Sequence, residues 1–251
     1  MLEIRNLSKS FGGVHAVQDV SFAIKEGSIH SVIGPNGAGK TTLFNLITGV
    51  YTPSKGEILL RGENVAGLSP DQLARRGMSR TFQNLQICLN MTAIANVMVG
   101  AHLRLNQNLF ASMLRLPSVR KADQVCRDEA AQLMEFVGVG QYVDADSSQM
   151  PYGALKRLEI ARALAARPKV LLLDEPAAGL NHTETGEIEA LIRKVAQSGV
   201  TVVLVEHDMK LVMNLSDHIL VLDYGKKLAE GTAAEVRANP DVVAAYLGAA
   251  A

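Results

Sequence analysis

Long hydrophobic runs are absent from this sequence of 251 residues. Its most apolar stretches, residues 170–173 and 200–205, are far shorter than the roughly 18–20 residues that cross a bilayer. Residues 1–10 alternate apolar and polar side chains and lack the apolar core of a secretion signal. We therefore expect a soluble, cytoplasmic chain without a membrane span.

Cysteine and net charge are equally scarce. The two cysteines, Cys88 and Cys126, have no metal-ligand spacing, so we expect two reduced thiols. The 25 basic residues balance the 25 acidic ones, which excludes an overall field that would gather nucleic acid. Any recognition of phosphate must therefore be local. The 48% share of apolar residues excludes a disordered chain and favours a packed globular protein.

Alternating and continuous apolar segments predict the order of strands and helices. Alternation predicts five strands in the first third, the earliest of them at a sheet edge: residues 2–7, 20–24, 29–33, 58–60 and 78–82. Helical periodicity predicts an inserted helical subdomain at about 85–165. The apolar runs at 169–173 and 200–205 end in acidic residues and are typical of strands buried in a parallel sheet. The sequence therefore predicts a doubly wound α/β core.

One segment carries the strongest functional signal. It matches the pattern G-x-x-x-x-G-K-[ST] between a predicted strand and a predicted helix, and it consists of Gly34, Pro35, Asn36, Gly37, Ala38, Gly39, Lys40 and Thr41. Glycines let backbone N–H groups turn inward as an anion nest, toward which the following helix points its positive end. Lys40 would add a charge near the β- and γ-phosphates, and the Thr41 hydroxyl would ligate Mg²⁺. This pattern predicts a nucleoside triphosphate site.

Two carboxylates follow the predicted strand at 169–173. Ligands of parallel sheets bind at such strand ends, so we expect Asp174 to hold the magnesium shell. Glu175 is one residue further and turned differently, and it would orient or deprotonate the attacking water. Solvated strand-end charges are the alternative. Their combination with a phosphate-binding loop favours hydrolysis over nucleotide binding alone.

These residues, with Gln83, Gly153 and His207 in order, resemble an ATP-binding cassette (ABC) ATPase over essentially the whole length. The resemblance implies one nucleotide-binding domain over residues 1–251, with a RecA-like parallel-sheet core, an N-terminal antiparallel β subdomain and the helical insert. It implies that Gln83 senses magnesium and the attacking water, and that His207 contacts the γ-phosphate. It also places Phe11 against adenine, with core packing as the alternative.

The signature segment departs from the family's Leu-Ser-Gly-Gly-Gln pattern. In the family this segment completes the nucleotide site of a second cassette packed head to tail, and here it comprises Pro151, Tyr152, Gly153 and Ala154. Pro151 removes the serine hydroxyl, so backbone N–H groups at a helix start are expected to remain as donors. Asn181 likewise stands where the family's D-loop has aspartate.

The resemblance implies how these parts act on ATP and Mg²⁺. The phosphates would bind residues 37–42, which adds Thr42 to the site. The metal would be held by Thr41, Gln83 and Asp174. The transferring phosphoryl group would be stabilised by the loop amides, the signature helix of a partner cassette, Lys40 and His207. Hydrolysis would therefore need two associated cassettes.

Further segments narrow the resemblance to the ATPase subunit of branched-chain amino acid importers. They are residues 80–84, residues 96–100, the Pro-Tyr-Gly start of the signature and the tail around 239–248. This branch is similar to proteins that pair with a second related ATPase or with themselves, bind two integral membrane permease subunits, and receive solute from an extracytoplasmic binding protein. The implied location is the cytoplasmic face of the inner membrane, with no nucleic acid partner.

Alternatives stay open from the sequence. The same architecture serves importers of other small solutes such as urea, because the solute never touches this subunit. A non-transport ABC protein would usually carry a coiled-coil insertion or two cassettes in one chain, and a P-loop kinase would leave Gln83, Gly153 and His207 unexplained. Residues 103–120 either contact a membrane subunit or anionic headgroups, or pack inside the helical insert, which we favour.

Overall fold

The computed structural model describes residues 1–104 and 117–248. Within these ranges the backbone forms ten strands: β1 Leu2–Phe11, β2 Val14–Ile24, β3 Ile29–Ile33, β4 Lys55–Leu60, β5 Glu63–Asn64, β6 Met78–Arg80, β7 Val170–Asp174, β8 Thr201–Val205, β9 His218–Asp223 and β10 Lys226–Gly231. The same ranges contain nine α-helices: α1 Lys40–Ile47, α2 Pro70–Arg75, α3 Ala93–Gly100, α4 Pro117–Phe136, α5 Tyr152–Ala165, α6 His182–Gln197, α7 Met209–Leu215, α8 Ala233–Ala238 and α9 Pro240–Gly248.

The chain divides into two compact units. The first contains Met1–Arg80 and resumes at Lys169, and the second is Thr81–Pro168. Both sheets belong to the first unit, whereas α3, α4 and α5 belong to the second. No strand occurs among the described residues of the second unit, which is therefore built around helices.

Strand β1 lies inside the antiparallel sheet of the first unit, whose order is β2-β1-β4-β5. Leu2 of β1 lies opposite Ile24 of β2 on one side and opposite Leu60 of β4 on the other. The prediction that this strand forms a sheet edge is therefore wrong. Apolar alternation is typical of any strand with one covered face, so the pattern does not distinguish an edge strand from a central one.

The second sheet has the order β10-β9-β3-β8-β7-β6, and its pairs are parallel except β10 with β9. All residues of β3, β7 and β8 are buried, and the predicted α/β core is confirmed. The strand predicted at 78–82 is shorter and ends at Arg80. Because β3, β8, β7 and β6 are parallel neighbours, their carboxyl ends form one edge of the sheet, where ligands of such folds bind.

Helix α1 packs in the largest apolar cluster of the first unit, which contains side chains from both sheets. Its apolar residues are at most 1% exposed: Leu43, Phe44, Leu46 and Ile47. Truncating a fully buried aromatic side chain such as Phe44 typically costs about 3–5 kcal/mol. The helix ends with Thr48 as C-cap and Gly49 beyond it at φ +74°. The loop that precedes α1 is thus attached to a rigid support.

A buried amide organises the segment that leads into α3. Asn96 is 1% exposed, and its Oδ1 accepts the Cys88 N–H at 2.9 Å. Its Nδ2 lies 3.0 Å from the Cys88 oxygen, 3.1 Å from the Thr92 oxygen and 2.9 Å from Ser147 Oγ. Both ends of this amide are therefore satisfied, as buried polar groups require.

Residues 105–116, which make up most of the 103–120 segment, lie outside the described residues. Pro117 begins α4, a position that suits proline because the first helical N–H has no partner within the helix. None of the helices in the described ranges combines the length and the apolar character needed to cross a bilayer.

Candidate functional site

The loop at residues 34–39 joins the carboxyl end of β3 to the amino end of α1. Two of its glycines have no room for a side chain. A Cβ at Gly39, where φ is +98°, would lie 2.5 Å from the Ala16 oxygen, and a Cβ at Gly34 would collide with the Leu222 oxygen. Gly39 is also the N-cap of α1 and supplies no side-chain acceptor. The start of α1 is therefore suited to an external anion.

Neighbouring backbone and one tyrosine support this loop. Gly225 donates its N–H to the Ala38 oxygen at 3.0 Å. Tyr246 of α9 packs against the apolar cluster that includes Ile33 of β3, and its hydroxyl accepts the Gly34 N–H. Burial raises the pKa of Tyr246 to about 12, while this N–H opposes the rise. The loop is therefore held from both ends before any ligand binds.

Lys40 is the first residue of α1 and is only 6% exposed. Its ammonium donates to the Gly34 oxygen at 2.7 Å and to the Pro35 oxygen at 3.0 Å. Burial lowers the pKa of Lys40, and the negative charge of Glu175 opposes that shift. A buried ammonium that contacts neutral carbonyl oxygens is well placed to exchange them for an anionic oxygen.

Asp174 ends β7, and its carboxylate is bound by an arginine. Arg80, at the end of the neighbouring β6, donates from Nη2 to Asp174 Oδ2 at 2.6 Å, and the two side chains are 9% and 6% exposed. Sequence reasoning found the aspartate but missed the arginine. The available signal was that Arg80 lies within one predicted strand and that Asp174 directly follows another.

Glu175 adopts φ +49°, a left-handed conformation that costs about 1–3 kcal/mol unless the surroundings impose it. Its N–H donates to the Val205 oxygen at 2.9 Å, which ties it to the end of β8. Glu175 Oε1 lies 3.0 Å from His207 Nε2. The structure therefore brings together the two residues that the sequence predicted to act at the γ-phosphate.

Glu206 lies between β8 and His207 and is 4% exposed. One carboxylate oxygen accepts the Ala177 N–H at 2.8 Å, and the other accepts the His207 N–H at 3.0 Å. Burial raises the pKa of Glu206; the N–H groups of Ala177, His207 and Asp208 oppose the rise, and the charge of Glu175 adds to it. Sequence reasoning gave this residue no role.

Except for Ala38, which is 2% exposed, the predicted residues of the first unit that remain are exposed or half-buried. Of the loop residues not yet described, three are exposed and two are half-buried: Asn36, Gly37 and Thr41, then Pro35 and Thr42. Phe11, at the end of β1, is 41% exposed and packs edge-on against Tyr51 with ring centroids 5.2 Å apart. It is therefore not a core residue. Asn181 caps α6 by accepting the Thr183 and Glu184 N–H groups at 3.0 Å, as part of a capping box.

Gln83 and the signature segment belong to the second unit. Gln83 is exposed in the irregular segment that follows β6. Pro151 is the N-cap of α5 and provides no side-chain cap. Gly153 and Ala154 are buried, whereas Tyr152 is 45% exposed. Recognition at this helix start would therefore depend on backbone N–H groups, as predicted.

The chain as a whole has relatives among known proteins. A family model described as ABC transporter matches residues 17–178. This chain belongs to the ABC transporter family. The motifs predicted the fold of an ABC cassette and membership of a family of transport ATPases, and both predictions are confirmed.

Curated relatives narrow the family further. A second model, described as branched-chain amino acid ATP-binding cassette transporter, matches residues 226–251 of the cassette. The high-affinity branched-chain amino acid transport ATP-binding protein BraF of Pseudomonas aeruginosa is 46% identical over 251 residues, covering 100% of this chain and 98% of BraF. Its counterpart LivG of Escherichia coli K12 is 45% identical with the same coverage. The predicted resemblance to this branch is confirmed.

Solved ABC cassettes share the fold. One of them is an ATP-binding cassette of an ABC transporter in its ADP conformation. It is 30% identical to this chain with a TM-score of 0.87, and the match covers 99% of this chain and 98% of that structure's chain. Another, a dimeric post-hydrolysis state bound to ADP and Pi, is 25% identical with a TM-score of 0.77, covering 93% and 99%.

Proposed function

We propose that this ABC cassette binds and hydrolyses ATP to energise the import of branched-chain amino acids. The similarity to BraF and LivG over the whole chain supports the solute class. The contact between Glu175 and His207, on the sheet edge that also carries Lys40, is the observation that carries the hydrolytic part. We further propose that the two units form one nucleotide-binding domain over residues 1–251.

Residues of the first unit bind the nucleotide. Lys40 exchanges its two carbonyl contacts for oxygens of the β- and γ-phosphates, and the N–H groups of residues 37–42 surround the same oxygens. The exposed ring of Phe11 stacks on adenine. His207 contacts the γ-phosphate through its ring, and Glu175 orients the attacking water and accepts its proton.

The residues present suit Mg²⁺. The Thr41 hydroxyl, the Asp174 carboxylate and the Gln83 amide are oxygen donors, which this ion prefers together with phosphate oxygens. Among the described residues, no group of three or more His, Cys, Asp or Glu side chains could hold a metal ion alone, which suits an ion that arrives with the nucleotide. When bound, the ion neutralises charge on the β- and γ-phosphates.

We propose that the cassette works as a head-to-tail dimer with itself or with a second related ATPase. The dimeric relative bound to ADP and Pi supports this assembly. In the proposed dimer of this cassette, the segment Pro151–Ala154 acts on the nucleotide bound to the partner cassette. Two permease subunits hold the dimer at the cytoplasmic face of the inner membrane, and an extracytoplasmic binding protein delivers the solute. We expect no nucleic acid partner.

Reconstitution tests this function. The membrane proteins that co-purify with the chain are inserted with it into liposomes, and the extracytoplasmic binding protein is supplied on the opposite side. Uptake of leucine, isoleucine and valine is then measured with and without ATP on the cassette side. We expect ATP-dependent uptake of these amino acids and none of urea. Uptake of urea instead would exclude the proposed solute class. An active ATPase with which no membrane protein co-purifies would count against transport.

A further inference from the structure

A buried glutamate joins the two segments that carry the candidate catalytic pair. Glu206 accepts the N–H of Ala177, two residues after Glu175, and also the N–H of His207. We propose that Glu206 is a positioning residue, whose carboxylate fixes both segments so that the Glu175 and His207 side chains meet. This inference rests on the proposed ATP hydrolysis and adds a residue to it.

The contact between Glu175 and His207 depends on where their backbones lie. The Glu175 N–H is bound to Val205 of β8, and the Ala178 N–H donates back to the Glu175 oxygen at 3.1 Å, so residues 175–178 form a tight turn beside β8. The His207 side chain lies just beyond β8 and is 48% exposed. An anchor at its backbone N–H therefore constrains how far the ring can move from Glu175.

A carboxylate suits this junction better than an uncharged side chain. Both of its oxygens accept hydrogen bonds and neither donates, so Glu206 can satisfy N–H groups that approach from two directions. A buried ionised group is unfavourable unless it is hydrogen-bonded. The hydrogen bonds to two separate segments oppose the effect of that burial, so the contacts that favour the carboxylate form also hold the segments together.

Glutamine is the informative replacement. Glu206→Gln keeps the size of the side chain but converts one acceptor oxygen into an NH₂ donor. The new NH₂ group faces a backbone N–H and cannot accept its hydrogen. One of the two segments therefore loses its hydrogen bond to residue 206. We expect kcat for ATP hydrolysis to fall at least tenfold. The KM and the dissociation constant for ATP should stay within twofold, because Lys40 and its loop are untouched.

Asp217, which directly precedes β9 and is exposed, supplies a control at the other edge of the same sheet. Its carboxylate accepts the Ile29 N–H at 2.8 Å, at the amino end of β3 and therefore at the edge opposite the site. Asp217→Asn also removes a carboxylate that binds a backbone N–H between elements. We expect its kcat to stay within twofold of the parent chain.

Two further measurements separate positioning from general stability. In a His207→Ala background, Glu206→Gln should lower kcat less than twofold, because the side chain that it positions is gone. Amide hydrogen exchange at the N–H that faces the new amide group, that of Ala177 or that of His207, should accelerate at least tenfold in Glu206→Gln and remain unchanged in Asp217→Asn. A residue that only stabilises the fold would change kcat by the same factor in both backgrounds.

The outcomes distinguish this inference from the proposed function. An active parent chain with unchanged kcat in Glu206→Gln would overturn the inference alone, as would an undiminished loss in the His207→Ala background. A parent chain without ATPase activity would overturn the proposed function and this inference with it. If Glu206→Gln does not fold, Glu206→Asp, which is too short to reach both N–H groups, is held to the same criteria.

Discussion

Arg80 and Asp174 form a buried ion pair, with Nη2 and Oδ2 2.6 Å apart. The same guanidinium donates from Nη1 to Asn45 Oδ1 at 2.6 Å and to Thr48 Oγ1 at 2.9 Å. It thereby links the ends of β6 and β7 to the last turn of α1. The Asp174 carboxylate is therefore oriented before any metal ion reaches it.

We expect Arg80→Ala to destabilise the chain by about 3 kcal/mol, because removing one partner leaves a buried charge without its compensating ion. Asp174→Asn combined with Arg80→Ala should recover part of this loss. Urea unfolding of the parent, both single variants and the double variant measures the coupling. Strictly additive losses would show that the pair contributes no interaction of its own.

Lys40→Ala should weaken ATP binding at least tenfold, because the ammonium is the full positive charge that the phosphate-binding loop carries. Isothermal titration calorimetry with ATP, in the presence and absence of Mg²⁺, measures the dissociation constant. Lys227→Ala is the control, since this lysine donates to the Ser21 oxygen and to Glu230 away from the loop. An unchanged dissociation constant in Lys40→Ala would remove the proposed phosphate contact.

Glu175→Gln should lower kcat at least 100-fold, because an amide of the same shape cannot accept the proton of the attacking water, and general bases typically contribute about 10²–10⁴-fold. ATP affinity should stay within threefold, and ATP should now trap the dimer, which size-exclusion chromatography detects. Exposed Glu26 provides the control as Glu26→Gln. Near-normal turnover in Glu175→Gln would take Glu175 out of its proposed role.

Much of the fold and the nucleotide loop could be predicted because their signals are local. The runs at β7 and β8 are continuously apolar, since both faces of those strands are buried. The loop pattern from Gly34 to Thr41 is likewise contiguous. The position of β1 within its sheet could not be predicted. Its apolar alternation shows only that one face is covered and does not indicate which strands pair with it.

Arg80 and Glu206 could not be predicted because their partners are distant in sequence. Arg80 and Asp174 are 94 residues apart, and Ala177 and Glu206 are 29 residues apart. A charged residue at a strand end is usually solvated, so its type alone does not indicate burial. Strand order in the parallel sheet is what brings these side chains together.

His30 should make stability depend on pH. It is 1% exposed and stacks on Phe22 with ring centroids 5.6 Å apart. Burial, together with the charge of the neighbouring His218, lowers the pKa of His30 to about 4. In the unfolded chain His30 has an ordinary pKa near 6.5. Between about pH 6.5 and 4, His30 is therefore protonated in the unfolded chain but not in the folded chain. Stability is full above pH 6.5 and falls as the pH decreases through this window.

His30→Phe should remove this dependence. The free energy of unfolding of the parent should fall by about 2 kcal/mol more than that of the variant between pH 7 and pH 5. Urea unfolding at both pH values measures the difference, with the exposed His102 as the His102→Gln control. Equal pH dependence of parent and His30→Phe would show that His30 is not the titrating group.

Tyr246 should couple the C-terminal helix to nucleotide binding. Its hydroxyl accepts the Gly34 N–H, and its ring packs against the cluster that includes Ile33. Tyr246→Phe keeps the ring but leaves a buried backbone N–H without that acceptor, which typically costs about 1–3 kcal/mol. We expect a loss of stability in this range together with a severalfold weaker dissociation constant for ATP, because Gly34 begins the loop.

The tyrosine at position 224 provides the comparison for this prediction. Tyr224 is 82% exposed, so Tyr224→Phe removes a hydroxyl from the same unit without uncovering a buried N–H. Thermal unfolding and calorimetric ATP titration of both variants separate the two cases. If Tyr246→Phe matched Tyr224→Phe in both measurements, the hydroxyl would have no part in holding the loop. A loss confined to stability would mean that α9 supports the fold without shaping the phosphate site.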